Sequence, residues 1–461
     1  MLNSDTMSAK IVILGGGFGG LATATRLERL LGEREAEIAL VSRENFSLFT
    51  PMVPEVSSGG LELRHVVTPV RAQLKRTQFY LGEVKSVDLG ARTVDVEHTL
   101  LQTHHELPYD HLIFALGSVT STFGLPGIEE LALPLKTLED AERLRNQMVA
   151  IMETADVTTD PVARKRLLRF VFVGGGFTGV EAAGEMLDFF RSVCRYYRTI
   201  DPKEIEVVLI EGGPKLLPEL QKGMGEYSAH ALSTRGVRVM LNALVSGADA
   251  DGINLKSGEH ISSATIVWSA GVKPSPLLAT LGLETRRGAV VTNPDMSIPG
   301  HAHLWAIGDC AAIPAPDGTT FPATAQHAIR EGPILAANIV AVLRAKPTRP
   351  FRYDSLGMMA SLGGRRGVAG LGGKYLLKGF LAWLVWRTYY LARLPGIDRR
   401  LRVTFDWTLG LLFPRDIAEL RVYAKPEPEP VGQYTPKTRT EPSIAPSAAS
   451  SRAESTSAIS Q

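Results

Sequence analysis

The sequence predicts an α/β protein in which a unit of strand, glycine turn and helix occurs twice. Residues 10–31 begin with an apolar run, continue with the glycines of GGGFGG and end in a stretch with helical spacing of apolar residues. Residues 170–190 repeat that order around GGGFTG. A buried-strand pattern that ends in glycine follows each copy, DHLIFALG at 110–117 and ATIVWSAG at 264–271. This duplication predicts two Rossmann-like domains, each built on a parallel sheet.

Both glycine runs match the spacing GxGxxG of a dinucleotide-binding turn. The first glycine of such a motif permits the tight turn, the second lets the backbone approach a pyrophosphate, and the third lets the helix pack on the strand. The helix N-terminus then offers free N–H groups and a positive dipole end to the phosphates. A chance glycine turn is the alternative, but the recurrence in the correct context favours two dinucleotide sites. The matching residues are Gly15, Gly17, Gly20, Gly174, Gly176 and Gly179.

Length and composition limit the class of protein. A chain of 461 residues predicts two or three domains. A net charge of +2 is too small to indicate a nucleic-acid partner. The two cysteines, Cys194 and Cys310, form no CxxC motif, so we expect a reducing compartment and no metal site or disulfide scaffold.

The order of the motifs predicts a discontinuous first domain. The run HLWAIGDCAAIP from residue 303 contains a strand that needs a sheet to join, and the sheet of the first unit is the expected host. We therefore expect the first dinucleotide domain at 1–150 and 286–350, with the second inserted at 151–285. Residues 351–424, rich in glycine and then in Trp, Phe and Leu, predict a small third domain, and the Pro, Ser and Ala of 425–461 predict a disordered tail.

A carboxylate is expected where the second strand of each unit ends, because it can bind the adenosine ribose hydroxyls. Glu211 meets this expectation after the strand 207–210, and its charge would repel a 2′-phosphate, which favours NADH over NADPH. A solvent-facing glutamate is the alternative. In the first unit Ser42 stands where the acid is expected, so Ser42, Arg43 and Glu44 remain alternative contacts for the nucleotide.

Two further carboxylates follow the motifs. Asp309 comes after Gly308 at a strand end, where it can accept a hydrogen bond from a ribityl hydroxyl of a flavin or merely cap the loop. Glu181 and Glu185 are four residues apart and share a helix face. Glu181 is expected to interact favourably with the positive helix end, and a second interpretation places it facing a nicotinamide.

These motifs resemble the FAD-dependent pyridine nucleotide reductases, and within them the type II, non-proton-pumping NADH:quinone oxidoreductases. The similarity runs from about Ile11 to Arg421. Its specific markers are GGGFTGVEAAGE at 174–185, SAGVKPSP at 269–276, AIGDCAA at 306–312 and, similar to the quinone-side AQxAxQ of the family, AQHAIR at 325–330.

The resemblance implies hydride transfer from NADH to FAD and electron transfer from the flavin to a quinone near Gln326. Two residues depart from the family pattern: Arg330 stands at the second glutamine, and Ser42 replaces the usual acid. The residues implied beside FAD are Gly15, Gly17, Gly20, Gly117 and Asp309. Those implied beside NADH are Gly174, Gly176, Gly179, Glu181, Glu211 and Gly271.

Members of this family attach to the membrane through a C-terminal amphipathic segment. Here GFLAWLVW at 379–386 and WTLGLLF at 407–413 are both far shorter than the roughly 20 apolar residues that span a bilayer. With basic residues beside them, they predict helices lying in the interface of a membrane. A buried contact in a homodimer is the alternative. The resemblance implies a peripheral protein on the cytoplasmic face of a bacterial-type inner membrane.

The residues disfavour one alternative function and leave a second one open. Dithiol and sulfide:quinone reductases need paired redox cysteines, which Cys194 and Cys310 do not form. A redox-sensing protein that binds both nucleotides but turns over slowly is the second alternative, with Arg330 having altered the acceptor site.

Overall fold

The computed structural model describes residues 8–221, 223–372 and 374–419, so the predicted tail at 425–461 lies outside the described residues. The helices in chain order are α1 (Phe18–Leu30), α2 (Val53–Ser57), α3 (Val70–Gln73), α4 (Ile128–Leu131), α5 (Leu138–Val157), α6 (Pro161–Leu167), α7 (Phe177–Val193), α8 (Met224–Ser233), α9 (Ala325–Leu343), α10 (Gly379–Arg393) and α11 (Ile397–Leu412).

The strands in chain order are β1 (Ala9–Leu14), β2 (Ala36–Ser42), β3 (Phe46–Leu48), β4 (Val67–Pro69), β5 (Gln78–Asp88), β6 (Thr93–His98), β7 (His104–Pro108), β8 (His111–Phe114), β9 (Ser118–Thr120), β10 (Ala132–Pro134), β11 (Arg169–Val173), β12 (Glu206–Ile210), β13 (Val237–Met240), β14 (Val245–Asp249), β15 (Gly252–Leu255), β16 (His260–Ser262), β17 (Thr265–Trp268), β18 (Val272–Pro274), β19 (Thr285–Arg286), β20 (Ala289–Val291), β21 (Ser297–Ile298), β22 (His301–Ala306), β23 (Ala311–Ala312), β24 (Gly357–Ser361), β25 (Gly367–Leu371) and β26 (Tyr375–Lys378).

The first sheet has the strand order β21-β22-β8-β1-β2-β5-β6-β7. Its centre is parallel: β1 pairs with β2 on one side and with β8 on the other, and β22 pairs with β8. Strand β8 is buried along its whole length, as its continuous apolar run predicted. Since β22 joins this sheet from far along the chain, the predicted fold class, with a discontinuous first domain, is confirmed. The predicted domain boundaries stay a prediction.

The second sheet, in the order β10-β17-β11-β12-β13, is parallel throughout. Its central strand β11 buries Phe170 to Val173: Phe170 and Phe172 share a core cluster with the buried residues of α7, and Val171 and Val173 belong to another cluster. The strand–turn–helix unit of the first sheet is thus repeated, with β11 in the place of β1 and α7 in the place of α1.

The segment after residue 356 forms an antiparallel sheet, β24-β25-β26, with α10 packed against it. Helix α10 buries Ala382 and Trp386 there, and α11 buries Val403. Both helices leave much apolar surface exposed. Among the helices described, none combines the length and the apolar character required to cross a bilayer.

Helices α1 and α9 make a close contact in which glycines take the place of side chains. A Cβ on Gly332 would lie 2.8 Å from the Ala22 Cβ and 2.9 Å from both the Gly19 carbonyl oxygen and the Thr23 nitrogen. Gly19 lies opposite, against Ile307. This contact positions α9 over the end of the first sheet, where β22 stops.

We expect Gly332→Ala to destabilise the protein by about 1–3 kcal/mol, because the added methyl group would have to push two backbone atoms apart. The matched control is Gly410→Ala in α11, where a Cβ would meet nothing within 4 Å. That exchange should raise the free energy of unfolding by up to about 1 kcal/mol, since alanine favours the helix. Urea unfolding of both variants measures the difference, and equal stability of the two would contradict the close packing described.

Candidate functional site

The first glycine loop can be built only from glycine at its two ends. Gly15 has a φ of +117°, and a Cβ there would lie 2.1 Å from the Ala115 carbonyl oxygen. A Cβ on Gly20 would lie 1.9 Å from the Gly15 carbonyl oxygen. Because no side chain intervenes, the first turn of α1 sits directly on the end of β1.

The middle glycine of the loop has a different environment. Gly17 has an ordinary φ of −75°, and a Cβ there would meet nothing within 4 Å. It is the N-cap of α1, and no side chain caps that helix end. The N–H groups of the first turn therefore have no side-chain cap, and the space beside Gly17 is open, an arrangement that fits a pyrophosphate group.

The second loop repeats this geometry. Gly174 has a φ of +113°, and a Cβ on Gly179 would lie 1.9 Å from the Gly174 carbonyl oxygen. Gly176, the N-cap of α7, has a φ of −74° and open space at its Cβ position. The residues of both loops fit a dinucleotide.

Ser42 and Glu211 occupy equivalent places beside the two loops. Ser42 is the last residue of β2, and Glu211 directly follows β12. In each case the first loop glycine donates a 2.8 Å hydrogen bond to the carbonyl oxygen of the residue before it, Val41 or Ile210. The Glu211 carboxylate accepts hydrogen bonds of 2.6 Å from the N–H groups of Gly175 and Gly213. Ser42 lies against Gly16 in the same way but carries no charge.

Arg43 and Glu44, the other candidates of the first unit, are exposed. At the second sheet Gly271 lies beneath an aromatic ring, since a Cβ there would be 2.6 Å from Phe123 Cζ. Gly271 follows β17, which pairs with β11, so it belongs to the same sheet edge as Gly174 and Glu211.

Asp309 lies at the end of the first sheet, next to a serine that the sequence reasoning missed. The Ser118 hydroxyl donates a 2.5 Å hydrogen bond to Asp309 Oδ2, and Lys136 Nζ donates one of 2.7 Å to Ser118 Oγ. Burial lowers the pKa of Lys136, against the opposing effect of Asp309. Gly117 and Gly308, with φ of +66° and +69°, form the turns on either side. Ser118 directly follows a predicted glycine, whereas Lys136 has no signal in the sequence.

Glu181 lies against the C-terminal segment and is only 6% exposed. Its Oε1 accepts hydrogen bonds of 2.9 Å from Ser361 N and from Trp386 Nε1. Burial raises the pKa of Glu181 to about 8, although both hydrogen bonds act in the opposite direction. The carboxyl group is therefore predominantly protonated at neutral pH.

A chain of aromatic rings connects this region to the first glycine loop. The Trp386 ring is 4.9 Å from Tyr390 between centroids, Tyr390 is 5.9 Å from Phe49, and Phe49 is 6.3 Å from Phe18. Phe18 follows Gly17 in the loop. This series of contacts therefore links Glu181, on the helix of the second glycine loop, to the first glycine loop.

Two further acids, Glu55 and Glu185, line a cavity of about 530 Å³. Glu185 forms a 2.8 Å ion pair with Arg415, and the Glu55 carboxyl group accepts a 2.8 Å hydrogen bond from Trp407 Nε1. Burial and the nearby Glu185 charge raise the pKa of Glu55 to about 7. Sequence reasoning missed Glu55, which stands in a short helix without a recognisable motif.

Gln326 and Arg330 lie where the N-terminal end of α9 meets the segment 353–357. Gln326 Oε1 accepts a 2.9 Å hydrogen bond from the Tyr353 hydroxyl, and its Nε2 donates to the Gly357 carbonyl at 3.3 Å. The Arg330 guanidinium lies 4.2 Å from the centre of the Tyr353 ring and donates to the Gln326 carbonyl at 2.7 Å. Both side chains are held by partners within the chain.

Comparison with known proteins agrees with this geometry. The family model described as pyridine nucleotide-disulphide oxidoreductase matches residues 9–332, and the NDH2 C-terminal domain matches residues 356–416. The type II NADH:quinone oxidoreductase Ndh of Mycobacterium tuberculosis is 34% identical over 422 residues, which cover 88% of this chain and 89% of that protein. The type II NADH:quinone oxidoreductase of Staphylococcus aureus is 30% identical over 371 residues, covering 79% and 90%.

The fold also matches a solved structure. NDH2 from Plasmodium falciparum, in complex with NADH, superposes with a TM-score of 0.82 at 22% identity, over 89% of this chain and 100% of that one. The fold is therefore shared with that structure. From the two family models and the relatives that are 34% and 30% identical, the chain belongs to the pyridine nucleotide-disulphide oxidoreductases and, within them, to the type II NADH:quinone oxidoreductases.

Proposed function

We propose that this chain is an NADH:quinone oxidoreductase that binds FAD at Gly15–Gly20 and NADH at Gly174–Gly179, without proton pumping. The observation that carries the proposal is the pair of open helix N-termini at Gly17 and Gly176, each at the edge of its own parallel sheet. Bound FAD would accept a hydride from NADH and pass two electrons to a quinone.

The first loop and its neighbouring strand ends would hold the flavin nucleotide. The α1 N-terminus offers N–H groups to the pyrophosphate, and Asp309 offers a carboxylate oxygen to a ribityl hydroxyl. Lys136 acts through Ser118, which donates to Asp309 and so fixes the orientation of that carboxylate. Ser42 would contact the adenosine end without adding charge, and the exposed Arg43 is within the same strand end.

The second loop would hold NADH in the corresponding way. The hydrogen bond from Gly175 N to Glu211 supports a contact between this carboxylate and the ribose hydroxyls of NADH. The same charge disfavours the 2′-phosphate of NADPH. Gly271, three residues after the adjacent strand β17, adds no side chain of its own beneath the Phe123 ring.

The residues beyond the flavin would serve quinone reduction. Forming quinol from NADH and quinone consumes one proton in addition to the hydride, and a protonated Glu181 on the buried face of α7 is suited to the nicotinamide and flavin side of that reaction. Gln326 is the proposed contact on the quinone side. Because the Arg330 guanidinium is engaged by Tyr353, the departure from the family pattern leaves Gln326 in place.

The purified protein should contain FAD, should show rapid flavin reduction by NADH, and should be reoxidised by a short-chain quinone. Glu211→Gln should raise the KM for NADH about tenfold or more and reduce the preference over NADPH, because it weakens charge-assisted bonds of about 1.5–3 kcal/mol. Steady-state rates with both nucleotides measure this. Glu206→Gln, at the opposite end of the same strand, is the matched control and should change neither KM.

Two outcomes would decide against the proposal. Absence of NADH-driven flavin reduction would exclude the dehydrogenase activity. Rapid flavin reduction with negligible reoxidation by quinones would favour the alternative of a redox-sensing protein with poor quinone turnover.

Replacing Gly17 or Gly176 by valine should impair one nucleotide site without the other. Both positions have ordinary φ values and open space at Cβ, so the substitutions strain nothing in the chain itself. Gly17→Val should lower the flavin content of the purified protein, whereas Gly176→Val should retain flavin but weaken NADH binding by tenfold or more. Flavin absorbance and stopped-flow reduction measure these effects. If both variants bind both nucleotides normally, the loops are not the phosphate sites.

We further propose that α10 and α11 attach the protein to a membrane as a peripheral protein. On α11 the apolar residues recur four apart, and Ile397, Leu401, Phe405 and Leu409 are 74%, 57%, 66% and 50% exposed. A continuous exposed apolar stripe of this kind suits the interface of a bilayer. Because the proposed enzyme must reach the NADH of the cytoplasm, this surface would bind the cytoplasmic face of an inner membrane. The alternative occupant is a second copy of the chain in a homodimer.

Replacing Leu401, Phe405 and Leu409 together by serine should reduce co-flotation with phosphatidylglycerol-containing vesicles by tenfold or more. The stripe would lose three large apolar contacts with the lipid. The control pair Leu100→Ser and Leu101→Ser removes exposed leucines from a distant hairpin and should leave flotation unchanged. If the triple variant still floats but turns from dimer to monomer by light scattering, the stripe is a dimer contact instead.

A further inference from the structure

Glu331 is a buried carboxyl group that none of the roles above uses. It lies on α9, is 3% exposed, and accepts a 2.7 Å hydrogen bond at Oε2 from the N–H of Gly308. Gly308 directly precedes Asp309, whose carboxylate is bound on its other side by Ser118. The segment 308–310 is thus contacted on two sides: Glu331 binds its backbone at Gly308, and Ser118 binds the Asp309 side chain.

The charged and titratable groups near Glu331 offset little of the cost of ionising this buried carboxyl group. Asp309 acts on Glu331 as a like charge, and burial has the larger effect. Arg330, the adjacent residue, turns to Tyr353 and Gln326, and Glu28 of α1 binds backbone N–H groups at 75–77. The titratable groups on the elements packed around Glu331 are Asp309 and Cys310 in the segment 308–310, Arg26, Glu28 and Arg29 on α1, His327 and Arg330 on α9, and Arg344 at the C-cap of α9.

This environment favours the neutral form of the carboxyl group. A buried carboxylate with one backbone donor and a neighbouring acid is unstable relative to its protonated form. Burial, with a smaller contribution from Asp309, raises the pKa of Glu331 to about 7 against the effect of the Gly308 hydrogen bond. Glu331 therefore changes charge near neutral pH, beside the segment that presents Asp309.

We propose that Glu331, a positioning residue for the segment 308–310, adds its own contribution to the pH dependence of the midpoint potential of FAD bound beside Asp309. The inference rests on the proposed FAD site. Where reduction adds two electrons and only one proton to the flavin, the flavin gains a negative charge that a carboxylate held nearby disfavours, and the effect is strong where water is excluded. When the reductant delivers its electrons, Glu331 takes up a proton from solvent in the pH range where it is ionised beside oxidised flavin.

The charge of Glu331 determines the direction in which the midpoint potential changes. Below about pH 6 the carboxyl group is neutral in both oxidation states and Glu331 resembles glutamine. Above about pH 7 the ionised carboxylate lowers the midpoint potential of the wild-type protein relative to Glu331→Gln. Since Gln keeps the length of the side chain and an oxygen acceptor for Gly308 N–H, the positioning contact itself is preserved in the variant.

The experiment is an equilibrium titration of the bound flavin against reference dyes, with a chemical reductant, from pH 5.5 to 8.5. Neither NADH nor quinone takes part, so a protein that binds FAD but lacks the proposed activity still gives a result. We expect the wild-type and Glu331→Gln potentials to coincide at low pH and to separate at high pH, with the wild type more negative. Glu28→Gln, another carboxylate that accepts backbone N–H groups, should follow the wild type throughout.

Potentials of Glu331→Gln that parallel the wild type across the range would overturn the proposal. If that variant fails to retain FAD, redox-difference infrared spectra of the wild type and Glu331→Asp decide. The wild type at pH 7.5 should gain a carboxylic C=O band on flavin reduction, and the aspartate should shift its frequency. A missing band, or one that Glu331→Asp leaves unmoved, would equally reject the role of Glu331.

Discussion

The approach of a helix to a strand end without any intervening side chain is the constraint on which the rest of the structure depends. A Cβ on the third glycine of either loop would lie 1.9 Å from the carbonyl oxygen of the first, so α1 and α7 rest directly on β1 and β11. That contact aims each helix N-terminus at the edge where the neighbouring parallel strands also end. Residues from distant parts of the chain reach each edge in the same way: Asp309 follows β22 at the first sheet, and Glu211 follows β12 at the second.

The C-terminal segment contributes to the interior as well as to the surface. It supplies the donors for three buried or partly buried acids: Ser361 and Trp386 for Glu181, Trp407 for Glu55, and Arg415 for Glu185. An unpartnered buried carboxyl group would cost several kcal/mol, so these contacts offset much of the cost of placing acids between the sheets and the helices. The segment that exposes an apolar stripe on one side therefore stabilises polar groups on the other, with Trp386 of α10 and Trp407 of α11 among the donors.

Local spacing made the two glycine loops, the strands beside them and the returning strand β22 predictable from the sequence, because each is a short pattern with a fixed physical meaning. Contacts between patterns were not predictable. Trp407 reaches Glu55 across 352 positions, and Lys136 reaches Ser118 from a segment with no motif. Ser42 was ambiguous for a related reason: its equivalence to Glu211 emerges only from the register in which β1 pairs with β2 and β11 with β12. A single sequence specifies what each element is more readily than which side chains meet.

Helix α9 joins the two ends of the proposed electron path, and its consecutive residues Arg330 and Glu331 show how. Neighbouring positions on a helix point about 100° apart, so the two side chains serve different surfaces. Arg330 binds Tyr353 and the Gln326 carbonyl, on the side of the C-terminal segment, while Glu331 binds Gly308 beside Asp309. A change of charge at Glu331 is therefore felt at the flavin edge without breaking the contacts that hold Gln326. Gly332 packs the same turn of α9 closely against α1. Because the helix cannot shift there, the backbone fixes the separate environments of Arg330 and Glu331.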